Sequence, residues 1–233
     1  VASRSASATY CVPGASDTCT APLAHWKFEE ATWTNDCSTE TSFDSSGHNL
    51  NLKSCPNSTG PSTSSVSHYG RAPSLDGSDD YFESTNTIFD ITGAITLEAW
   101  VKPTTISVND DYVINRTNNN SGYSLGWAST MQPKLRIGNG TAYTDLLGTS
   151  TLALDTWYHL VGTVDASGNA KIYVNGKIEN TGSLGILATA TQNLRVGTRS
   201  TGNELAAIVD ELKIFTYVRS PAQVAWDYNT GSP

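Results

Sequence analysis

The chain has 233 residues, 14 of them Lys or Arg and 22 Asp or Glu, for a formal net charge of −8, and it is long enough for one large domain with a substantial core. The acidic balance removes the attraction that draws proteins to nucleic-acid phosphates or anionic membranes, so no nucleic acid is expected as a partner, and no apolar run suits membrane insertion. Only 15% of residues are charged while 9% are aromatic, a mix suited to an extracellular or cell-surface β protein rather than a cytosolic helical one.

Residues 1–22 are small and polar, with Pro13, Gly14 and Pro22 breaking any period, and read as an extended N-terminal arm ahead of a domain over 23–233. The arm's first ten residues alternate small side chains and could add as a strand to a neighbour's sheet edge, a route to self-association. Cys11, Cys19, Cys37 and Cys55 are spaced eight, eighteen and eighteen residues apart, which fits two disulfides in an oxidising compartment better than a zinc site. Three pairings are open; Cys11–Cys19 with Cys37–Cys55 closes the shortest local loops, each bridge contributing roughly 2–4 kcal/mol.

From Ala24 onward, short runs rich in Val, Ile, Leu and aromatics alternate with Gly/Asn/Asp/Ser clusters. Strands are expected at His25–Phe28, Tyr81–Glu83, Ile95–Lys102, Tyr112–Asn115, Tyr123–Trp127 and Lys134–Ile137. Further on, Trp157–Val164, Ala170–Val174 and Lys177–Glu179 form two consecutive hairpins, because Asn175-Gly176 readily takes positive φ at both central positions of a tight turn. Leu194–Gly197 and Ala207–Phe215 supply the last strands, and Ser220-Pro221 opens a short C-terminal helical turn or two. Strands this close leave no room for crossover helices and must pair antiparallel. The expected fold is all-β, a two-sheet antiparallel sandwich with that helical turn at its end.

The order of these segments resembles the laminin-G-like, concanavalin A-like jelly-roll family. Ala24-His-Trp-Lys-Phe-Glu-Glu is similar to its opening strand, Gly70-Arg-Ala-Pro-Ser-Leu-Asp-Gly-Ser-Asp-Asp-Tyr-Phe to its Gly/Asp loop, and Ile208-Val-Asp-Glu-Leu-Lys-Ile-Phe to its closing strand. The likeness covers about residues 24–230 and leaves the Cys-bearing arm and the segment 35–67 as an insertion. It implies a jelly roll, a fold that hosts lectin-like modules, adhesion domains and glycan-cleaving enzymes alike.

Hydrolysis of a glycan would need two carboxylates on one face, at i and i+2 or i+4 of a strand. Glu29-Glu30 and Asp210-Glu211 are adjacent and so point to opposite faces, and Glu98 stands alone in its strand; no catalytic residue is assigned. Calcium, a hard cation that takes oxygen ligands from Gly-turned loops, suits the loop Leu75-Asp-Gly-Ser-Asp-Asp-Tyr, whose crowded carboxylates repel one another unless a cation joins them. The family resemblance implies a single Ca2+ joining the first strand near Glu29 or Glu30, the loop at Asp76 or Gly77, and Asp210 of the closing strand. For sugars, which stack on aromatic faces and accept hydrogen bonds from polar groups, the candidates in or beside loops are Tyr112, Trp127, Tyr143, Asp111, Arg116 and Asn139. The expected function is a secreted or surface, non-catalytic module binding a glycan or glycoprotein. A structural or adhesion subunit and a glycan-active enzyme are the alternatives.

Overall fold

The computed structural model describes residues 12, 20–56, 59–199 and 203–230. The arm's strand-addition segment and the Cys11–Cys19 pairing fall outside the described residues; Cys37 and Cys55 are joined as a disulfide.

Two antiparallel sheets of eight strands face each other. The first holds β1 (Ala24–Trp26), β4 (Ser62–Ser64), β5 (Ala72–Asp76), β7 (Ile95–Pro103), β12 (Tyr158–Val164), β13 (Asn169–Val174), β14 (Lys177–Ser183) and β16 (Ala206–Phe215). The second holds β2 (Glu40–Ser42), β3 (Leu52–Cys55), β6 (Tyr81–Ser84), β8 (Asp111–Asn118), β9 (Ser121–Trp127), β10 (Pro133–Asn139), β11 (Tyr143–Leu147) and β15 (Leu194–Val196). Their facing sides bury Trp26, Phe82, Leu97, Leu125, Trp127, Leu135, Leu160 and Val209 in one continuous core. Each such large side chain contributes about 1.5–3 kcal/mol by leaving water. No helix among the described residues is long and apolar enough to cross a membrane.

The β12–β13 hairpin turns through Asp165–Gly168, and the β13–β14 hairpin turns at Asn175 and Gly176, both at positive φ as the tight turn requires. The first strand stops at Trp26, two residues short of the expected end, because Phe28 takes φ 57° and cannot extend the ladder. The C-terminal helix α1 (Pro221–Thr230) is longer than the turn or two expected. Ser220 Oγ accepts from Gln223 N–H and Gln223 Oε1 accepts from Ser220 N–H, a reciprocal cap that starts it. Val224 then packs on Val161 and Tyr173 of the first sheet's outer face, while Asp227 pairs with the buried Arg219.

One irregularity organises that outer face. Strand β16 shifts register against β7 between Asp210 and Lys213, with Glu211 at φ 50°. Residues three apart ordinarily point to opposite faces, but the bulge places Asp210 opposite Trp100 and Lys213 opposite Glu98, so both face outward. It also divides the far edge of β16: β5 pairs with Ala206–Ile208 and β1 with Leu212–Ile214.

Candidate functional site

On the outer face of the second sheet, the pairing registers align one residue from every strand into a single row. From β11 to β2 it reads Asp145, Arg136, Ser124, Asn115, Arg195, Glu83, Lys53, Glu40. Seven strand spacings make the row about 33 Å long. All eight residues are polar, while their neighbours along each strand, such as Leu135, Leu125, Ile114, Leu194, Phe82 and Leu52, go to the core. This alternation is the ordinary consequence of the two-residue strand period.

The row is most elaborated over β8, β10 and β11. Strand β9 offers only Gly122, Ser124 and Gly126 to this face, so side chains of β8 and β10 meet across it. The Arg136 guanidinium grips Asp145 through Nε at 2.6 Å and Nη2 at 2.7 Å, and its Nη1 donates to the Tyr112 hydroxyl at 2.9 Å. Lys134 is ion-paired with Asp110 and lies 4.8 Å from the Tyr112 ring centre. Partial burial would raise the Asp110 pKa, but Lys134 and Arg136 hold the carboxyl below its usual range. Arg199 reaches in from the loop after β15 and lies over two rings, 5.9 Å from Tyr112 and 5.4 Å from Tyr143. The Tyr143 hydroxyl, and in the same row the Asn115 side-chain N–H2, are shielded and have no hydrogen-bond partner among the described residues. Such polar atoms are satisfied by ordered water or by a ligand that displaces it. At the other end of the row, Glu40, Lys53 and Glu83 line a small polar pocket with Asn49, Asn51 and Asn86.

The structure separates the six expected sugar contacts. Tyr112 and Tyr143 belong to this face. Trp127 is wholly buried in the core between the sheets, because its register partners Asp111 and Pro133 also lie on the inward side. Asp111 is buried there, and burial pushes its pKa up to about 7. Arg116 also points inward, buried and ion-paired with Asp90. Asn139 spends its side-chain oxygen on Thr141 and Ala142 N–H, capping the β10–β11 turn. Sequence reasoning missed Arg136, Lys134, Asp145 and Arg199, although the alternation in Lys134-Leu-Arg-Ile already put the first two on one polar side.

The expected calcium ligands divide into two places rather than one. Glu29 Oε2 accepts from Arg71 N–H and Asp210 Oδ2 from the His68 and Tyr69 N–H groups, so both hold the turn at 67–71, while Glu30 accepts from Phe43 N–H. Burial pushes the Asp210 pKa up to about 8. Asp76 is in register with Ala206, four residues before Asp210 along β16, a distance of about 13 Å. Asp76 instead joins Asp79 and Asp80, whose ligand atoms all lie within 4.8 Å of one another around Gly77 at φ 79°. Asp80 is buried; one of its oxygens accepts from Asp76 N–H and the other has no partner among the described residues. Burial, reinforced by the negative charges of Asp76 and Asp79, pushes its pKa up to about 7. Clustered carboxylate oxygens with one orphaned and buried fit a hard cation.

The sequence profile of the concanavalin A-like lectin/glucanases superfamily matches residues 76–225. No curated protein matches the chain. Among solved structures, domain 4 of AbnA, a GH43 extracellular arabinanase from Geobacillus stearothermophilus in complex with arabinotriose, is similar with a TM-score of 0.69 at 18% identity, over 88% of this chain and 96% of that one. The binding domain of Paraclostridial Mosquitocidal Protein 1 is similar with a TM-score of 0.68 at 16% identity, over 83% of this chain and 50% of that one. A botulinum neurotoxin type C structure, from a toxin whose cell entry depends on two ganglioside molecules, has a TM-score of 0.67 at 14% identity, over 90% of this chain and 51% of that one. The chain thus spans about half the length of these two toxin structures. At such identities the likeness establishes the fold.

Proposed function

Since the chain belongs to the concanavalin A-like lectin/glucanases superfamily, we propose that it is a non-catalytic module that binds a glycan or glycoprotein on the outer face of its second sheet, in an extracellular or cell-surface setting. The observation that carries this reading is the face itself: the half-buried Tyr143 ring, Arg136, and the shielded Tyr143 hydroxyl and Asn115 N–H2 that have no partner among the described residues. An aromatic face suits the apolar side of a sugar ring, and fixed donors and acceptors suit its hydroxyls. The arabinotriose complex of AbnA domain 4 and the disulfide Cys37–Cys55 support the ligand class and the oxidising compartment. Against catalysis stands the state of three of the four acids on this face: Asp145, Asp110 and Glu83 are each ion-paired, with Arg136, Lys134 and Arg195, while Glu40 at the far end accepts from Asn51 Nδ2. A general acid needs a raised pKa, not a cation beside it.

The test is retention on an array of immobilised glycans followed by affinity measurement with the best-retained one. Arg136→Ala and Tyr143→Ala are each expected to weaken binding at least tenfold, as an anchor worth more than about 1.4 kcal/mol does. Lys177→Ala, on the edge strand β14 of the other sheet, serves as the control. Retention of no glycan, or equal loss in the control, would remove the reading.

The reading includes a structural calcium held by Asp76, Asp79 and Asp80. When bound, the ion supplies the positive charge that lets three crowded carboxylates ionise together. Because burial keeps a proton on Asp80 up to about pH 7, proton and cation compete for it, and the stabilisation by calcium is expected to grow as pH rises through that value. Thermal melts with calcium and with EDTA should separate more at about pH 8 than at about pH 6. Asp80→Asn should close the gap at both. Identical melts in calcium and EDTA at the higher pH would sink the site.

A further inference from the structure

Charge on the outer face of the second sheet differs from that of the chain as a whole. The protein carries an excess of acids, −8 in total, yet this face and its bordering loops are close to balanced, with Lys53, Lys134, Arg136, Arg195 and Arg199 against Glu40, Glu83, Asp110, Asp145 and Glu204, which is bridged to Thr198 beside Arg199. Three of the cations are matched within ion-pair distance: Lys134 by Asp110, Arg136 by Asp145 and Arg195 by Glu83. Lys53 stands between Glu40 and Glu83 in the row. Arg199 is different, since no carboxylate lies within ion-pair distance of it among the described residues, and what it covers is the pair of tyrosine rings.

A guanidinium beside aromatic rings is partly desolvated; Arg199 also donates toward the Tyr112 hydroxyl, and its remaining in-plane donors point past the rings. Such a group is matched best by a planar anion that it can grip with two parallel hydrogen bonds. The shielded Tyr143 hydroxyl beside it, and the Asn115 N–H2 in the row of the same face, have no partner among the described residues and can serve the neutral hydroxyls of the same ligand. A neutral glycan would use these but leave the Arg199 charge unanswered.

We infer that the glycan taken by this face bears a carboxylate, as a uronic or sialic acid does, and that Arg199 is the residue that recognises it. The inference rests on the glycan-binding reading and narrows it to a ligand class. Binding is measured by calorimetry on the full chain with an oligogalacturonate, with its methyl ester, which keeps every sugar and removes only the charge, and with a sialylated oligosaccharide. At least one free acid is expected to bind, and for the oligogalacturonate the acid should exceed the ester at least tenfold at low salt, with the margin shrinking as salt is added. Arg199→Gln should bring the acid-to-ester ratio close to one, and Arg199→Lys should restore part of it. Melting curves of both variants establish that they are folded. Equal affinity for acid and ester overturns the inference and leaves the glycan reading standing. So does failure of every carboxylated probe while a neutral glycan is retained on the array. Failure of every glycan overturns both.

Discussion

Glu98→Ala is expected to destabilise the protein by about 3–5 kcal/mol, the cost of leaving a buried charge without its partner. Glu98 lies buried on the outer face of the first sheet, where strand pairing puts it directly opposite Lys213. The Lys213 ammonium, equally buried, donates to Glu98 Oε1 at 2.9 Å, and His159 Nε2 from the neighbouring strand lies 3.2 Å from the same oxygen. Helix α1 and the loop of His68 and Tyr69, stacked on Trp100, cover this side of the sheet. Burial alone would raise the Glu98 pKa, but Lys213, His159 and Arg219 reverse that and hold it well below its usual value. A carboxyl whose folded-state pKa is depressed contributes stability that is complete above its unfolded pKa and is lost as pH falls through the folded one. Acid unfolding of the parent should therefore steepen below about pH 4.5. The paired variant Glu98→Leu/Lys213→Met should recover most of the loss and flatten the acid limb, since apolar replacements of a buried ion pair are often neutral. Chemical denaturation across pH checks both; a single variant as stable as the parent would mean that the pair is not buried as described.

Trp127→Ala should cost a similar amount, about 3–5 kcal/mol, as a large aromatic is removed from a close-packed core. This variant also decides between two roles for one residue. The sequence puts Trp127 at the end of a strand beside a loop, among the sugar contacts, whereas the structure buries it wholly between the sheets. A stability role predicts a lowered melting temperature with glycan affinity retained by the molecules still folded. A tenfold loss of affinity with an unchanged melt would instead restore it to the binding site.

What could be read from the sequence follows the strength of the local pattern. Ile95–Lys102 and the hairpin closed by Asn175-Gly176 were legible because long alternating runs and an obligate turn leave no other structure. The segment 35–67 was not, because β2 and β4 have three residues each and consist of Glu, Thr and Ser, too short and too polar to show a period. The sequence did expose Asp76, Asp79 and Asp80 as a crowded loop. The place of Asp210 was not legible, since its four-residue offset from Asp76 along β16 is visible only once β5 has been paired. The binding face was the least legible part. Its row takes one residue from each of eight strands, so no local stretch holds more than two of its members, and Arg199 reaches it from a loop.

The most direct test of the central proposal is to titrate the isotopically labelled protein with the best-retained soluble oligosaccharide and follow backbone and side-chain NMR shifts. The proposal expects saturable shifts concentrated at Tyr112, Asn115, Arg136, Tyr143, Asp145 and Arg199, with the outer face of the first sheet silent. Shifts centred on Trp100, His159 and Tyr228, or on the loop at Asp76–Asp80, would contradict it.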